Sequence, residues 1–93
     1  MQINFFAAAR AAAGISSLTV ELGQLPTPTL AGLQAYLARE FTGTTPSGQT
    51  LADILPRCTF LVDGVAASGE QLDDSALLKQ AERLDVLPPF AGG

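Results

Sequence analysis

The chain has 93 residues, 47% of them hydrophobic and 15% charged, and its formal net charge is −4. This length fits one small domain, and the composition is typical of a globular protein and not of a disordered one. The negative charge argues against nucleic-acid binding, and the five basic residues form no cluster in the sequence.

Counts of particular residue types exclude further kinds of site. The chain has no histidine and a single cysteine, Cys58, so neither a zinc site of ordinary composition nor a histidine-based catalytic centre is expected. A lone cysteine fits a reducing compartment, and we expect a cytoplasmic protein. Free cysteines are among the most buried residues, so Cys58 is predicted to be a buried structural thiol. The alternative for Cys58 is a reactive thiol that relays sulfur.

Membrane insertion and secretion are not expected. No run approaches the ~18 apolar residues that a membrane helix needs. The apolar start of the chain has no basic region before it, and Arg10 interrupts it, so it does not resemble a signal peptide.

The N-terminal stretch predicts a β-hairpin with a longer connection than a tight turn. Along the strand Gln2–Ala7, Ile3 and Phe5 point to one side and Phe6 points to the other, because side chains alternate in a strand. A short helical turn follows, and the strand Ser17–Leu22 alternates in the same way.

One long helix is predicted after this hairpin. Thr29 can cap it, because a threonine hydroxyl accepts a hydrogen bond from an otherwise unpaired N–H of the first turn. Gly32 weakens the helix by roughly 1 kcal/mol relative to alanine, so packing must hold it. The packing residues fall at helical spacing and form one apolar stripe: Leu30, Leu33, Leu37 and Phe41.

The second half predicts short elements. Thr50 and Asp53 have the spacing of a capped helical turn that Pro56 ends. The strand Thr59–Val62 then leads into Asp63-Gly64, a pair that favours the type I′ turn of a hairpin.

A return strand, Val65–Ala67, completes this hairpin, and the connection Ser68–Gln80 follows it. The adjacent Asp73 and Asp74 in this connection are interpreted as solvated carboxylates, because no third ligand accompanies them. No metal site is therefore expected.

The last predicted strand is Arg83–Leu87, in which Leu84 and Val86 point inward and Leu87 points outward. Five strands and one long helix indicate a single α+β domain over residues 1–93, with the helix on one face of a mixed sheet. If the first and last strands pair in the centre, the residues after Leu87 leave from the middle of the sheet.

Those residues form the tail, residues 88–93. Each proline fixes φ and removes a backbone donor, so Pro88 and Pro89 stiffen its base. Gly92 and Gly93 have no side chain and could enter a narrow slot, at a reach of about 20 Å for the extended tail. The tail residues are Pro88, Pro89, Phe90, Ala91, Gly92 and Gly93. The alternative is a frayed chain end.

Three stretches together resemble one protein family: the opening Phe5–Gly14, the turn Val62–Gly64 and the ending Arg83–Gly93. They are similar to the small subunit of molybdopterin synthase (MoaD-like), one of the ubiquitin-like sulfur carriers (MoaD/ThiS), over nearly the whole chain. Ala81 stands where the family usually has glycine, and the connection before it is longer, which bears on the geometry of that turn. The resemblance implies a β-grasp fold, with one main helix packed on one face of a mixed sheet.

The resemblance implies a non-catalytic protein that carries sulfur for molybdenum cofactor biosynthesis. Gly93 would be adenylated and then converted to a thiocarboxylate, which donates sulfur to cyclic pyranopterin monophosphate. The implied partners are the catalytic large subunit of molybdopterin synthase (MoaE-like) and an adenylating E1-like enzyme (MoeB-like). This enzyme uses ATP and magnesium, and the chain itself binds no cofactor.

The resemblance also implies a partner interface at Phe6 and Leu87, which a β-grasp places on neighbouring strands. Scattered exposed apolar residues are the alternative. Arg10 would either add an ion pair at the rim or cap a turn. Phe90 is expected to need a groove on the partner.

Other functions remain open from the sequence. The chain could carry sulfur for cysteine, thiamine or tRNA thiolation, although thiazole carriers are generally shorter and lack the Phe-Phe-Ala opening. It could also be a protein modifier that is joined to lysines through Gly93, or an interaction domain whose tail is inert.

Overall fold

The structure is a computed structural model that describes residues 1–89. Within these residues the strands are β1 (Gln2–Phe5), β2 (Ser17–Thr19), β3 (Thr59–Val62), β4 (Val65–Ala66) and β5 (Arg83–Leu87). The α-helices are α1 (Ala7–Ala13), α2 (Leu30–Glu40) and α3 (Leu51–Ile54). Short 3₁₀ turns cover Leu22–Gln24, Leu55–Arg57 and Gly69–Gln71.

The strands form one five-stranded sheet in the order β2-β1-β5-β3-β4. The central pair, β1 and β5, is parallel and runs from Gln2 beside Arg83 to Phe5 beside Val86. The remaining pairs are antiparallel. The predicted α+β class, the mixed sheet and the pairing of the first and last strands are confirmed, and the arrangement is compatible with a β-grasp.

Helix α2 covers one face of this sheet. Its apolar stripe and the inward residues of the strands are all almost fully buried: Leu30, Leu33, Leu37, Ile3, Phe5, Phe60, Leu84 and Val86. At the end of α2, the ring of Phe41 packs edge-on against that of Phe5, with centroids 6.0 Å apart. Each buried side chain of this kind contributes about 1.5–3 kcal/mol, so the predicted stripe is the core. No helix in the described part of the chain is long and apolar enough to cross a membrane.

The predicted helix caps are present. The Thr29 hydroxyl accepts a 3.0 Å hydrogen bond from the N–H of Gly32. Thr50 and Asp53 form a reciprocal capping box, in which the Thr50 N–H donates to the Asp53 carboxylate at 3.0 Å. Hydrogen bonds from the backbone and then the side chain of Thr50 lower the pKa of Asp53, because they favour its charged form. Because these contacts join residues three positions apart, the sequence alone was enough to predict where α2 and α3 begin.

Gly32 has a second role that the sequence did not indicate. A Cβ at this position would overlap the carbonyl oxygen and the hydroxyl of Thr27. The glycine therefore allows the loop before α2 to lie directly against the first turn of the helix. It is a point of close approach, and not only a weak helix former.

Several element ends differ from the predictions. β1 stops at Phe5 and not at Ala7, because Ala7 has φ = 50°, a left-handed conformation that cannot continue a strand. The expected short turn is a seven-residue helix, α1, closed by Gly14 at φ = 77°. β2 ends at Thr19, because the predicted strand residue Leu22 belongs to a 3₁₀ turn.

The second hairpin follows the prediction closely. Asp63 and Gly64 have φ values of 49° and 87°, which a type I′ turn requires. β4 ends at Ala66 and not at Ala67, although the Ala67 N–H still donates to the Phe60 carbonyl at 2.9 Å. The Asp63 carboxylate accepts a 2.9 Å hydrogen bond from the N–H of Arg83, which joins this turn to the start of β5.

Candidate functional site

The tail begins at the end of the central strand. β5 ends at Leu87 between β1 and β3, followed by the half-buried Pro88 and the exposed Pro89. The base of the tail therefore leaves the middle of the sheet, as predicted. Phe90, Ala91, Gly92 and Gly93 lie outside the described residues, so the expectations for them stay predictions.

Phe6 and Leu87 lie on neighbouring strands at this end of the sheet. The Phe6 N–H donates to the Val86 carbonyl at 3.3 Å, and Phe6 has extended backbone angles, so it continues the alternation of β1. Phe5 points into the core, and Phe6 therefore points to the opposite, open face, where it is 43% exposed. Leu87 lies on the same face and is half-buried.

Sequence reasoning missed a third apolar residue on this face. Leu61 pairs with Asp85 in the register of β3 and β5, and its neighbour Phe60 is buried. Leu61 therefore faces outward and lies one diagonal step from Leu87. Side chains alternate along β3, so an inward Phe60 would have placed Leu61 on the open face. We call Phe6, Leu61 and Leu87 the apolar patch.

A polar row borders the apolar patch, and it too was missed. The Asn4 side-chain amide donates to Asp85 at 2.8 Å, and the guanidinium Nε of Arg83 lies 3.4 Å from the other oxygen of that carboxylate. The Asp85 side chain is only 13% exposed. The side-chain amide of Gln2 donates in turn to the side-chain oxygen Oδ1 of Asn4 at 3.0 Å. The alternation of side chains along β1 and β5 predicts that each of these residues faces outward. Only the register of the two strands shows that they are neighbours.

Arg10 lies on α1, one helical turn beyond Phe6. Its N–H donates to the Phe6 carbonyl, and its own carbonyl accepts the Gly14 N–H at 2.9 Å. The backbone of Arg10 thus takes part in closing α1. Its side chain is exposed and forms no ion pair within residues 1–89. The exposed Ile15, also missed, lies across an open groove from Arg10.

Cys58 is a neutral thiol at physiological pH. It is half-buried, where the prediction had it buried, and its thiol donates to the Ile54 carbonyl at 3.4 Å. Burial raises its pKa to about 11, because the charged thiolate is poorly solvated there. A thiol that stays protonated is a poor nucleophile, which disfavours sulfur relay through Cys58.

Potential metal ligands do not gather at one place in the described part of the chain. No group of three His, Cys, Asp or Glu side chains converges within residues 1–89. Asp73 and Asp74 are exposed, and Asp74 accepts a local 2.9 Å hydrogen bond from the N–H of Ala76. What this part of the chain shows is that Pro88 and Pro89, the base of the tail, follow β5 directly beside the apolar patch.

A scan against protein-family models and a search of curated proteins each found no match to this chain. What the protein does must therefore be inferred from the tail and from the surface around it.

Proposed function

We propose that the chain is a ubiquitin-like sulfur carrier with a β-grasp fold, the small subunit of molybdopterin synthase. One observation carries the proposal. The central strand of the sheet ends beside an exposed apolar patch and continues into Pro88-Pro89, four residues before a terminal Gly92-Gly93. Such a scaffold supports a carrier whose chemistry is performed on its own carboxyl end.

The chemistry requires activation by another protein. A carboxylate is anionic at neutral pH and a poor electrophile. An oxygen of the Gly93 carboxylate attacks the α-phosphorus of ATP and releases pyrophosphate, which leaves an acyl adenylate. Sulfide (HS⁻) then attacks the acyl carbon and displaces AMP, and loss of the remaining proton leaves a thiocarboxylate. The described residues offer no paired nucleophile and base, so ATP and magnesium belong to the E1-like enzyme.

The tail then delivers its sulfur inside the large subunit, where cyclic pyranopterin monophosphate is the acceptor. Pro88 and Pro89 stiffen the exit, Phe90 occupies a groove of the partner, and Gly92 lets the chain pass through a narrow channel. The apolar patch packs against the same subunit. Because Phe6 is 43% exposed and Leu87 is half-buried, covering them would contribute less than the ~1.5–3 kcal/mol that full burial of an exposed side chain gives.

The test is a reconstitution followed by intact mass spectrometry. The chain is incubated with the E1-like activating enzyme, ATP, magnesium and a sulfur donor. We expect a mass increase equal to the difference between one sulfur and one oxygen atom, located at Gly93 by fragmentation. A variant that lacks Gly93 is the control and should keep its mass and its melting temperature.

Three results would redirect the proposal. An unchanged mass of the full-length chain would indicate an inert tail. Isopeptide adducts on lysines of other proteins would indicate a protein modifier. If the thiocarboxylate forms but the large subunit does not accept its sulfur, the chain is a carrier for another pathway.

A further inference from the structure

The two ends of the sheet differ in charge. We call the end where β1 and β5 finish and β3 begins the tail end. α2 also ends there, because Phe41 packs on Phe5, and α3 packs against α1. The charged residues of these elements are three arginines and two carboxylates: Arg10, Arg39, Arg57, Glu40 and Asp53.

The far end is acidic. The Gln2 N–H donates to the Glu82 carbonyl at 2.8 Å, and the Asp63 carboxylate lies at the start of β5. The carbonyl of Leu72 accepts the N–H of Ala31 in the first turn of α2, which brings the following residues to this end. Five carboxylates lie here with three cations, since the ammonium group of Met1 is also at this end: Glu21, Asp63, Asp73, Asp74 and Glu82 with Lys79, Arg83 and Met1. Glu70 is not counted here, because the neighbouring Gly69 lines a groove with Pro56.

The charges next to the apolar patch are cationic. Arg10 lies one helical turn beyond Phe6, on the β1 side of the tail. Arg57 lies two residues before Thr59, which pairs with Leu87, and is therefore on the β3 side. Both are exposed. The carboxylate nearest the patch belongs to Asp85, which is largely hidden and already bonded to Asn4 and Arg83.

After the hydrogen bonds from Thr50, the Arg57 guanidinium also helps to lower the pKa of the Asp53 carboxyl, so the two charges act on each other without direct contact. Asp53 is four residues away, but its carboxylate accepts the Thr50 N–H and forms no ion pair within the described chain. A partner surface that approaches the tail end therefore meets the apolar patch between two exposed guanidinium groups, those of Arg10 and Arg57.

We propose that the protein surface that receives the tail carries carboxylates on both sides of its apolar contact, one facing Arg10 and one facing Arg57. Because the two ends of the sheet differ in charge, these carboxylates orient the chain as it approaches the partner, so that the tail end makes the first contact. This inference rests on the proposed function, and it commits to the large subunit of molybdopterin synthase as the partner.

Electrostatics supports orientation more than affinity. Complementary charge accelerates association of proteins, and rim charges act mainly on the association rate. The effect weakens with salt, because the screening length falls from about 10 Å at 0.1 M to about 3 Å at 1 M. The acidic far end would be repelled by the same carboxylates and would discourage reversed encounters.

The test compares two charge reversals that leave the same net charge. R57E changes a cation beside the apolar patch, and K79E changes an exposed cation at the far end. Association of the full-length chain with the large subunit from the same organism is followed by stopped-flow fluorescence at 20 mM and 500 mM NaCl. At low salt we expect R57E to associate about tenfold more slowly than wild type, and K79E to stay within about twofold. At high salt the three rates should converge.

Equal slowing of both variants would overturn the inference, since only net charge would then matter. A rate for R57E that equals or exceeds that of wild type would also overturn it. The proposed function is judged separately, by thiocarboxylate formation and by binding of the wild-type chain. A wild type that forms the thiocarboxylate but does not bind the large subunit would refute the chosen partner, and with it this inference.

Discussion

The side-chain amide of Asn4 donates a 2.8 Å hydrogen bond to the Asp85 carboxylate across the central parallel pair of the sheet. The bond joins the first and the last strand on the open face, beside the apolar patch. With Arg83 on its other oxygen, the Asp85 carboxylate keeps its hydrogen-bonding partners although its side chain is only 13% exposed.

Replacing Asn4 with alanine should lower the free energy of unfolding by about 1–2 kcal/mol, because a largely hidden carboxylate loses a hydrogen bond. Urea denaturation measures the change. Gln2→Ala is the matched control, since the exposed side chain of Gln2 donates only to the side chain of Asn4, and it should stay within about 0.5 kcal/mol of wild type. If the free energy of unfolding falls equally in both variants, the hydrogen bond from Asn4 to Asp85 contributes no more to stability than the exposed bond from Gln2 to Asn4.

Under the proposed function, replacing Phe6 with aspartate should weaken binding to the proposed large-subunit partner by at least about tenfold, because a charge would replace an apolar side chain of the proposed interface. The melting temperature should change little, since Phe6 is 43% exposed and lies outside the core. Isothermal titration calorimetry and thermal denaturation give the two quantities.

Val65→Asp is the control for this prediction. Val65 is also apolar and is 70% exposed, but it follows the Asp63-Gly64 turn at the far end. Its replacement should leave binding unchanged. If the Phe6→Asp protein unfolds, or if both variants lose the same affinity, Phe6 is not a residue of the proposed interface.

Replacing Gly32 with alanine should destabilise the fold by about 1–3 kcal/mol, although alanine is the better helix former, because the new methyl group overlaps Thr27. Gly69→Ala is the control, because a Cβ there meets nothing within 4 Å. The control should stay within about 0.5 kcal/mol of wild type in urea denaturation. A more stable Gly32→Ala protein would mean that the loop before α2 moves aside easily.

Cys58 should make stability fall at alkaline pH. Burial raises its folded pKa to about 11, whereas an unfolded thiol titrates near 8.5. The contribution to stability is therefore complete below the unfolded pKa and is lost as the pH rises towards the folded pKa. Between pH 7 and pH 10, the free energy of unfolding should fall more for wild type than for Cys58→Ala.

Alkylation offers a second measurement of the same property. At pH 8 the folded protein should react with iodoacetamide at least about tenfold more slowly than the urea-unfolded chain, because only the thiolate is nucleophilic. Equal rates in the two states, together with parallel pH curves for wild type and Cys58→Ala, would show that the Cys58 thiol is ordinary.

Local signals were sufficient for much of the fold. The alternation of Arg83–Leu87 placed Leu84 and Val86 inward and Leu87 outward, and the capping residues Thr29 and Thr50 located two helices. These features depend on neighbours within a few residues, which a single sequence displays.

Features that depend on three-dimensional approach escaped prediction. Nothing in the sequence shows that Gly32 touches the loop at Thr27, or that Ala7 takes a left-handed backbone and ends β1 early. The polar row beside the apolar patch was missed for the same reason. The Asn4–Asp85 bond requires the register of two strands that lie 81 residues apart in the sequence.

The position of β5 makes presentation of the tail conditional on a finished sheet. β5 joins the ribbon β2-β1 to the ribbon β3-β4, and it is the last strand of the described chain. A product truncated before Arg83 would retain two separate two-stranded ribbons, which are marginal on their own in water. A copy truncated in this way would therefore have neither the tail nor the complete apolar patch, and an unfolded copy would have the tail without the patch beside it.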